Sequence, residues 1–180
     1  GKRYGFCMTH NNFVEMDPTQ KYFVKVDTEF VKGSLTYADL LIKGKTNKEL
    51  LISTYICHPS LANDNTSGIV LTTFLAKFLL EKENYYSYRF VFAPETLGSI
   101  VYINKNYETL KKNVIGGYIV TCVGDKGDFT YLQTRNEDSL VDRITKSVLK
   151  ELYKINHKIL DYKNCWSDER QYNFPGMGLN

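Results

Sequence analysis

No apolar stretch in this 180-residue chain reaches the roughly 18 residues that a membrane-spanning helix needs, so neither a membrane segment nor a membrane partner is expected. There is no glycine-rich phosphate loop, no dinucleotide fingerprint and no Gly-x-Ser-x-Gly elbow. Ser67 precedes Gly68 but lacks the rest of the elbow, which argues against a serine hydrolase. Cysteines are few and unpaired in spacing: Cys7, Cys57, Cys122 and Cys165 form no close pair of the kind a cysteine-based zinc site uses. Cys57 and Cys122 sit in apolar runs and read as buried, reduced thiols, which fits a cytoplasmic location. Excess charge is also lacking. The net charge is +3, and lysines alternate with acids, as in Lys77, Glu81, Lys82 and Glu83. That is the pattern of a solvated helix face, so no nucleic-acid partner is expected. Gly1-Lys2-Arg3-Tyr4 leads into mixed sequence and does not read as a signal peptide.

What is present is an ordinary globular composition, 43% hydrophobic and 14% aromatic, in a chain long enough for one sizeable core. The first part, residues 1–45, reads as a small inserted β segment: Tyr22 to Asp27 alternates, and Leu35 to Ile42 is a second strand candidate. From Glu49 onward the pattern becomes strand then helix. Strands are expected over Leu50–Cys57, Ser87–Ala93, Val114–Val123, Asp128–Gln133 and Lys158–Asp161, and helices over Ser67–Lys82, Gly98–Lys112 and Asp138–Tyr153. The implied fold is α/β, a mainly parallel sheet flanked by helices, over residues 46–180. Both ends look cut: the start falls in mid-pattern, and Phe174 to Asn180 stops as though a strand were about to begin, so a fragment is expected.

In such sheets ligands bind beyond the carboxyl ends of the strands. His58, Asp64, Glu95 and Asp125 all follow expected strand ends. His58 precedes Pro59, which biases it towards an extended backbone, and a neutral imidazole on a rigid rim suits zinc. Asn63-Asp64-Asn65-Thr66-Ser67 precedes a helix and is denser in polar groups than capping requires, so Asp64 is a candidate metal ligand. Glu95 can bind a metal or act as general base. Asp125, beside Gly124, reads equally as a turn residue or a ligand. The polar run Ser167-Asp168-Glu169-Arg170 can cap a short helix or hold the polar end of a substrate, with Arg170 as a carboxylate partner. His10 and His157 have no supporting neighbours and read as structural.

These residues resemble the double-zinc aminopeptidases of the bacterial leucyl-aminopeptidase type. Cys57-His58-Pro59-Ser60, the Asn-Asp-Asn segment, Pro94-Glu95-Thr96, Cys122-Val123-Gly124-Asp125 and Ser167 to Gln171 are most similar to the aminopeptidase-like proteins associated with polysaccharide-biosynthesis genes. The resemblance implies a zinc-exopeptidase fold with one or two zinc ions. It implies a metal-dependent hydrolase that removes N-terminal residues from peptides or cleaves a related amide. His58, Asp64 and Asp125 would be metal ligands, Glu95 the catalytic base, and Asp168, Glu169 and Arg170 substrate-binding residues. A catalytically inactive binding relative, or a different amidohydrolase on the same scaffold, is the alternative. The chain departs from the family pattern in having Glu95 without a second adjacent acid, and in ending before a last metal-binding histidine. An incomplete site is therefore expected. The oligomeric state stays open.

Overall fold

Four strands form the central sheet in the spatial order β1-β3-β2-β4, where β1 is Ala38–Ile42, β2 Glu49–Tyr55, β3 Ser87–Ala93 and β4 Val114–Ile119. The computed structural model describes residues 5–152 and 156–174. β2 pairs in parallel with both β3 and β4, while β1 joins β3 antiparallel, with Leu40 opposite Phe90. The sheet is thus mainly parallel with an antiparallel edge. Central β2 is buried along most of its length, which is why Leu50 to Tyr55 reads as an almost unbroken apolar run and not as an alternation.

Helices cover both faces. α2 (Gly68–Leu80) follows β2, and α3 (Leu97–Asn113) follows β3. Side chains alternate across a strand, so neighbours on one strand enter different cores. Ile52 and Phe90 pack with Ala76, Leu75 and Leu79 of α2. Leu51 and Val91 pack with Tyr102, Ile103 and Leu110 of α3, and with Tyr172 from the short α5 (Glu169–Tyr172). A second, two-stranded parallel sheet joins β5 (Phe129–Leu132) to β6 (His157–Leu160), with α4 (Leu140–Glu151) between them in sequence. No helix among the described residues is long and apolar enough to cross a membrane.

The N-terminal expectation is corrected in part. Contacts divide the chain into residues 1–33 and 34–180. Within the first unit, α1 (His10–Val14) is capped by Thr9, and the stretch from Tyr22 to Asp27 forms no strand. Phe23 and Val26 are 90% and 70% exposed, so the alternation that suggested a strand has no buried face to align with. The second expected strand is real but shorter, and it belongs to the central sheet as β1. Val114–Val123 ends as a strand at Ile119. Tyr153 and residues 175–180, where a helix end and a further strand start were expected, lie outside the described residues.

α4 shows how local chemistry fixes an element. Ser139 and Asp142 form a reciprocal capping box. The fully buried Asp142 carboxylate also accepts from Tyr131 Oη at 2.8 Å, from Thr134 N at 2.9 Å and from Thr134 Oγ1 at 2.5 Å. Burial pushes its pKa up, but the hydrogen bonds from Thr134 and Ser139 outweigh it and hold the group at about 2. A folded pKa below the unfolded one stabilises the fold above the unfolded value, and that stability is lost as pH falls through the folded value. We expect Asp142→Asn to lower stability near neutral pH by about 1–2 kcal/mol and to shrink the loss of stability between about pH 4 and 2, as read by urea unfolding at several pH values. An unchanged acid limb would contradict this.

Candidate metal centre

β2 and β3 end side by side: Tyr55 pairs with Ala93, and Ile56 N donates to Ala93 O at 3.1 Å. The chain leaving each strand therefore reaches the same rim, β2 delivering Cys57 and His58, and β3 delivering Glu95. His58 Nε2 lies 3.7 Å from Glu95 Oε2, Cys57 Sγ lies 3.4 Å from His58 Nδ1, and Glu95 N donates to Cys57 Sγ at 3.2 Å. One donor atom from each of Cys57, His58 and Glu95 lies within 4.8 Å of the others, the one such group of three among the described residues. Ser167 Oγ donates to Glu95 Oε1 at 2.6 Å, which leaves Oε2 on the His58 side.

A sulfur, an imidazole nitrogen and a carboxylate oxygen suit zinc, and three protein donors with an open fourth position is the catalytic arrangement. Zinc arms of about 2.0–2.3 Å bring tetrahedral donors to within about 3.3–3.8 Å of one another, so these three need to close by about an ångström. The residues fit one ion.

Asp64 and Asp125 are not in this cluster, which differs from the expected ligand set of His58, Asp64 and Asp125. Asn63, Asn65 and Ser67 explain why. Asn65 Oδ1, Ser67 Oγ and Asn63 Oδ1 accept from the successive backbone N–H groups of Cys122, Val123 and Gly124, at 3.2, 3.1 and 2.8 Å. Asn65 Nδ2 also donates to Thr54 Oγ1 and Tyr55 O. The polar density of this segment is a staple holding the loop after β4. Close approach is required beneath it: a Cβ on Gly68 would stand 2.6 Å from Val120 O and 2.8 Å from Thr54 Oγ1. Asp64 accepts instead from Tyr55 Oη, at 2.6 Å on Oδ1. Burial first, and then this hydrogen bond, push the Tyr55 phenol well above its ordinary pKa, so it remains a neutral donor. Asp125 is held by Asn63 Nδ2 at 2.9 Å and by Gly127 N at 2.7 Å, the second being an ordinary turn contact.

A cavity of about 580 Å³ opens at this rim, lined among others by Tyr55, Asp64, Glu95, Tyr118, Trp166 and Glu169. Of the expected substrate-binding residues only Glu169 lines it, and its Oε1 is taken by Trp166 N and Ser167 N. Asp168 is fully buried and accepts from Thr96 N at 2.7 Å and Ser99 Oγ at 2.9 Å. Arg170 donates to Cys165 O at 2.6 and 3.1 Å. Both therefore serve the protein's own backbone and side chains.

The sequence profile of a family described as "Domain of unknown function (DUF4910)" matches residues 14–180. The chain belongs to the DUF4910 family. A relative from Clostridium acetobutylicum, named "Putative polysaccharide biosynthesis protein with aminopeptidase-like domain", is 42% identical over 178 residues, covering 99% of this chain and 40% of that protein. A crystal structure described as a "putative peptidase" from Clostridium acetobutylicum superposes with a TM-score of 0.83 at 39% identity, over 97% of this chain and 41% of that one. This DUF4910 chain thus spans about two fifths of the length of the relatives it matches. The α/β fold expected from sequence is the fold of that solved neighbour.

Cys57 is the member of this candidate donor group that sequence reasoning did not single out. The apolar run to Cys57 suggested a buried strand thiol, but β2 ends at Tyr55, and Cys57 and Cys122 are both exposed, while Cys165 is buried. The usable signal was the adjacency of Cys57, His58 and Pro59: a chain turning away at Pro59 has already left the sheet.

Proposed function

We propose that this DUF4910 chain carries a metal-dependent amide hydrolase site of the aminopeptidase kind, built on one zinc ion held by Cys57, His58 and Glu95. The observation that carries the reading is the convergence of these three donors at the carboxyl ends of two adjacent parallel strands. The names of the two relatives, aminopeptidase-like and peptidase, support the reaction class. When bound, zinc supplies Lewis-acid polarisation of an amide carbonyl and makes water more acidic.

The chain's own groups divide the remaining work. Glu95, used as a donor, is not free to act as base. Asp64 lines the same cavity, and its Oδ1 is held by neutral Tyr55. In this reading Asp64 Oδ2 takes the proton of the attacking water, and Tyr55 fixes the carboxylate's direction. His58 and Asp64 keep the rim positions that the resemblance implies, but Asp64 and Glu95 exchange roles.

A substrate panel on the zinc-loaded chain tests the reading. Release of aniline from aminoacyl anilides, lost in Glu95→Gln, is the expected result. Release of acetate from N-acylated amino sugars alone would move the reading to a different amidohydrolase. Zinc binding with no turnover of either class would move it to a binding protein.

A further inference from the structure

Glu95 opens a γ-turn centred on Thr96, closed by Leu97 N donating to Glu95 O at 2.7 Å, a form of turn that is rare and strained. Thr96 has φ 61° and ψ −69°, in a region that a β-branched residue occupies only when its surroundings impose it. The turn is supported from 72 residues away in sequence as well as locally: Asp168 Oδ1 accepts the Thr96 amide at 2.7 Å, and Ser99 Oγ shares its proton between that same oxygen and Thr96 O, each at 2.9 Å. The next residue back, Ser167, donates to Glu95 Oε1 at 2.6 Å. Asp168 is fully buried, and its Oδ2 has no hydrogen-bond partner among the described residues. A buried carboxylate oxygen left without a partner carries a cost, and the fold retains it with the other oxygen committed to the turn.

We propose that Ser167 and Asp168 form a two-armed clamp on Glu95. Asp168 is a positioning residue that sets the Thr96 turn, and Ser167 orients the carboxylate so that Oε2 faces His58. This rests on the zinc reading above and goes beyond it, because Asp168 touches neither the cavity nor the donor set and acts only through Thr96. It also replaces the substrate-binding role that the sequence suggested for Asp168. Groups that orient ligating residues change metal affinity although they never meet the ion.

The test is the zinc affinity of the full chain by chelator competition, with the thiolate-to-metal absorption of the cobalt-loaded protein as a second readout. Asp168→Ala is expected to weaken zinc by about 10–100-fold and Ser167→Ala by about 10-fold, while Asp168→Asn, which keeps an acceptor oxygen for Thr96 N, stays within about threefold of wild type. The cobalt spectrum changes with the first two and not with the third. Folded Asp168→Ala and Ser167→Ala proteins that bind zinc as wild type does would overturn the clamp and leave the metal reading standing. If Asp168→Ala does not fold, Ser167→Ala and Asp168→Asn carry the test. If wild type binds no zinc, the backbone amide signals of the metal-free chain decide separately. Movement of Glu95 and Thr96 in Asp168→Ala but not in Asp168→Asn supports the clamp while the metal reading fails, and unmoved signals overturn the clamp as well.

Discussion

Glu49→Ala is expected to cost about 3–5 kcal/mol of stability, because it removes the two-pronged partner of a buried guanidinium and leaves it, among the described residues, only the carboxylate of Asp39, with Oδ2 at 3.6 Å. Glu49 and Arg89 are 3% and 7% exposed. They meet diagonally between β2 and β3, where Glu49 is opposite Ser87 and Arg89 opposite Leu51, in a two-pronged pair, Arg89 Nε to Glu49 Oε2 at 2.5 Å and Nη2 to Oε1 at 3.1 Å. Asn113 Nδ2 also donates to Glu49 Oε1, Arg89 Nη1 donates to Tyr102 Oη, and Tyr102 Oη donates to Asp39 Oδ2. The hydrogen bond to Glu49 raises the Arg89 pKa further above its ordinary value, against the opposing pull of burial. Arginine stays protonated in proteins even without such help, so the guanidinium keeps its charge when Glu49 is removed. At 180 residues the loss corresponds to a fall in Tm of about 6–20 °C. The double variant Glu49→Leu with Arg89→Met is expected to recover much of the loss, since exchanging a whole buried pair for apolar groups is often neutral. A single Glu49→Ala variant that melts within about 1 °C of wild type would contradict this account of the core.

Asp64→Asn is expected to lower amide hydrolysis by about 10²–10⁴-fold, the range contributed by a positioned general base, while zinc remains bound. The two measurements must be read together, because the resemblance to two-zinc peptidases implies a ligand role for Asp64 and the proposed function gives it the role of base. Tyr55 holds Asp64 Oδ1 at 2.6 Å, and the donor atoms that converge are those of Cys57, His58 and Glu95. Loss of zinc in Asp64→Asn would restore the ligand role. Retained hydrolysis in a zinc-loaded Asp64→Asn protein would remove Asp64 from the mechanism. Tyr55→Phe, which removes the donor but not the carboxylate, is expected to lower turnover by less than Asp64→Asn does.

The strands and helices from Glu49 onward were readable in the sequence because burial on both faces leaves a plain mark: Leu50 to Tyr55 and Arg89 to Ala93 are apolar apart from positions that pair inside the protein. The N-terminal alternation of Tyr22 to Asp27 carries the same local signal without a sheet to receive it, and local pattern alone cannot tell the two apart. Arg89 was a missed clue, since a charge in the middle of an apolar strand requires a buried partner. The rim positions of His58, Asp64 and Glu95 were legible because strand ends set them. Roles within the rim were not, because they depend on contacts between segments far apart in sequence. Asn63, Asn65 and Ser67 look like ligand-rich sequence, yet they bind the backbone of residues 122–124. Asp168 looks like a surface polar residue beside Glu169 and Arg170, yet it lies buried behind Thr96. Cys57 is exposed beyond a strand end that comes two residues earlier than its apolar run suggested.

Zinc stoichiometry by mass spectrometry after dialysis tests the central claim most directly, on wild type, Cys57→Ala, His58→Ala, Asp64→Asn and Asp125→Asn. The account predicts one equivalent in wild type, its loss in Cys57→Ala and His58→Ala, and its retention in Asp64→Asn and Asp125→Asn. No zinc in wild type, or zinc lost in Asp64→Asn and kept in Cys57→Ala, would contradict it.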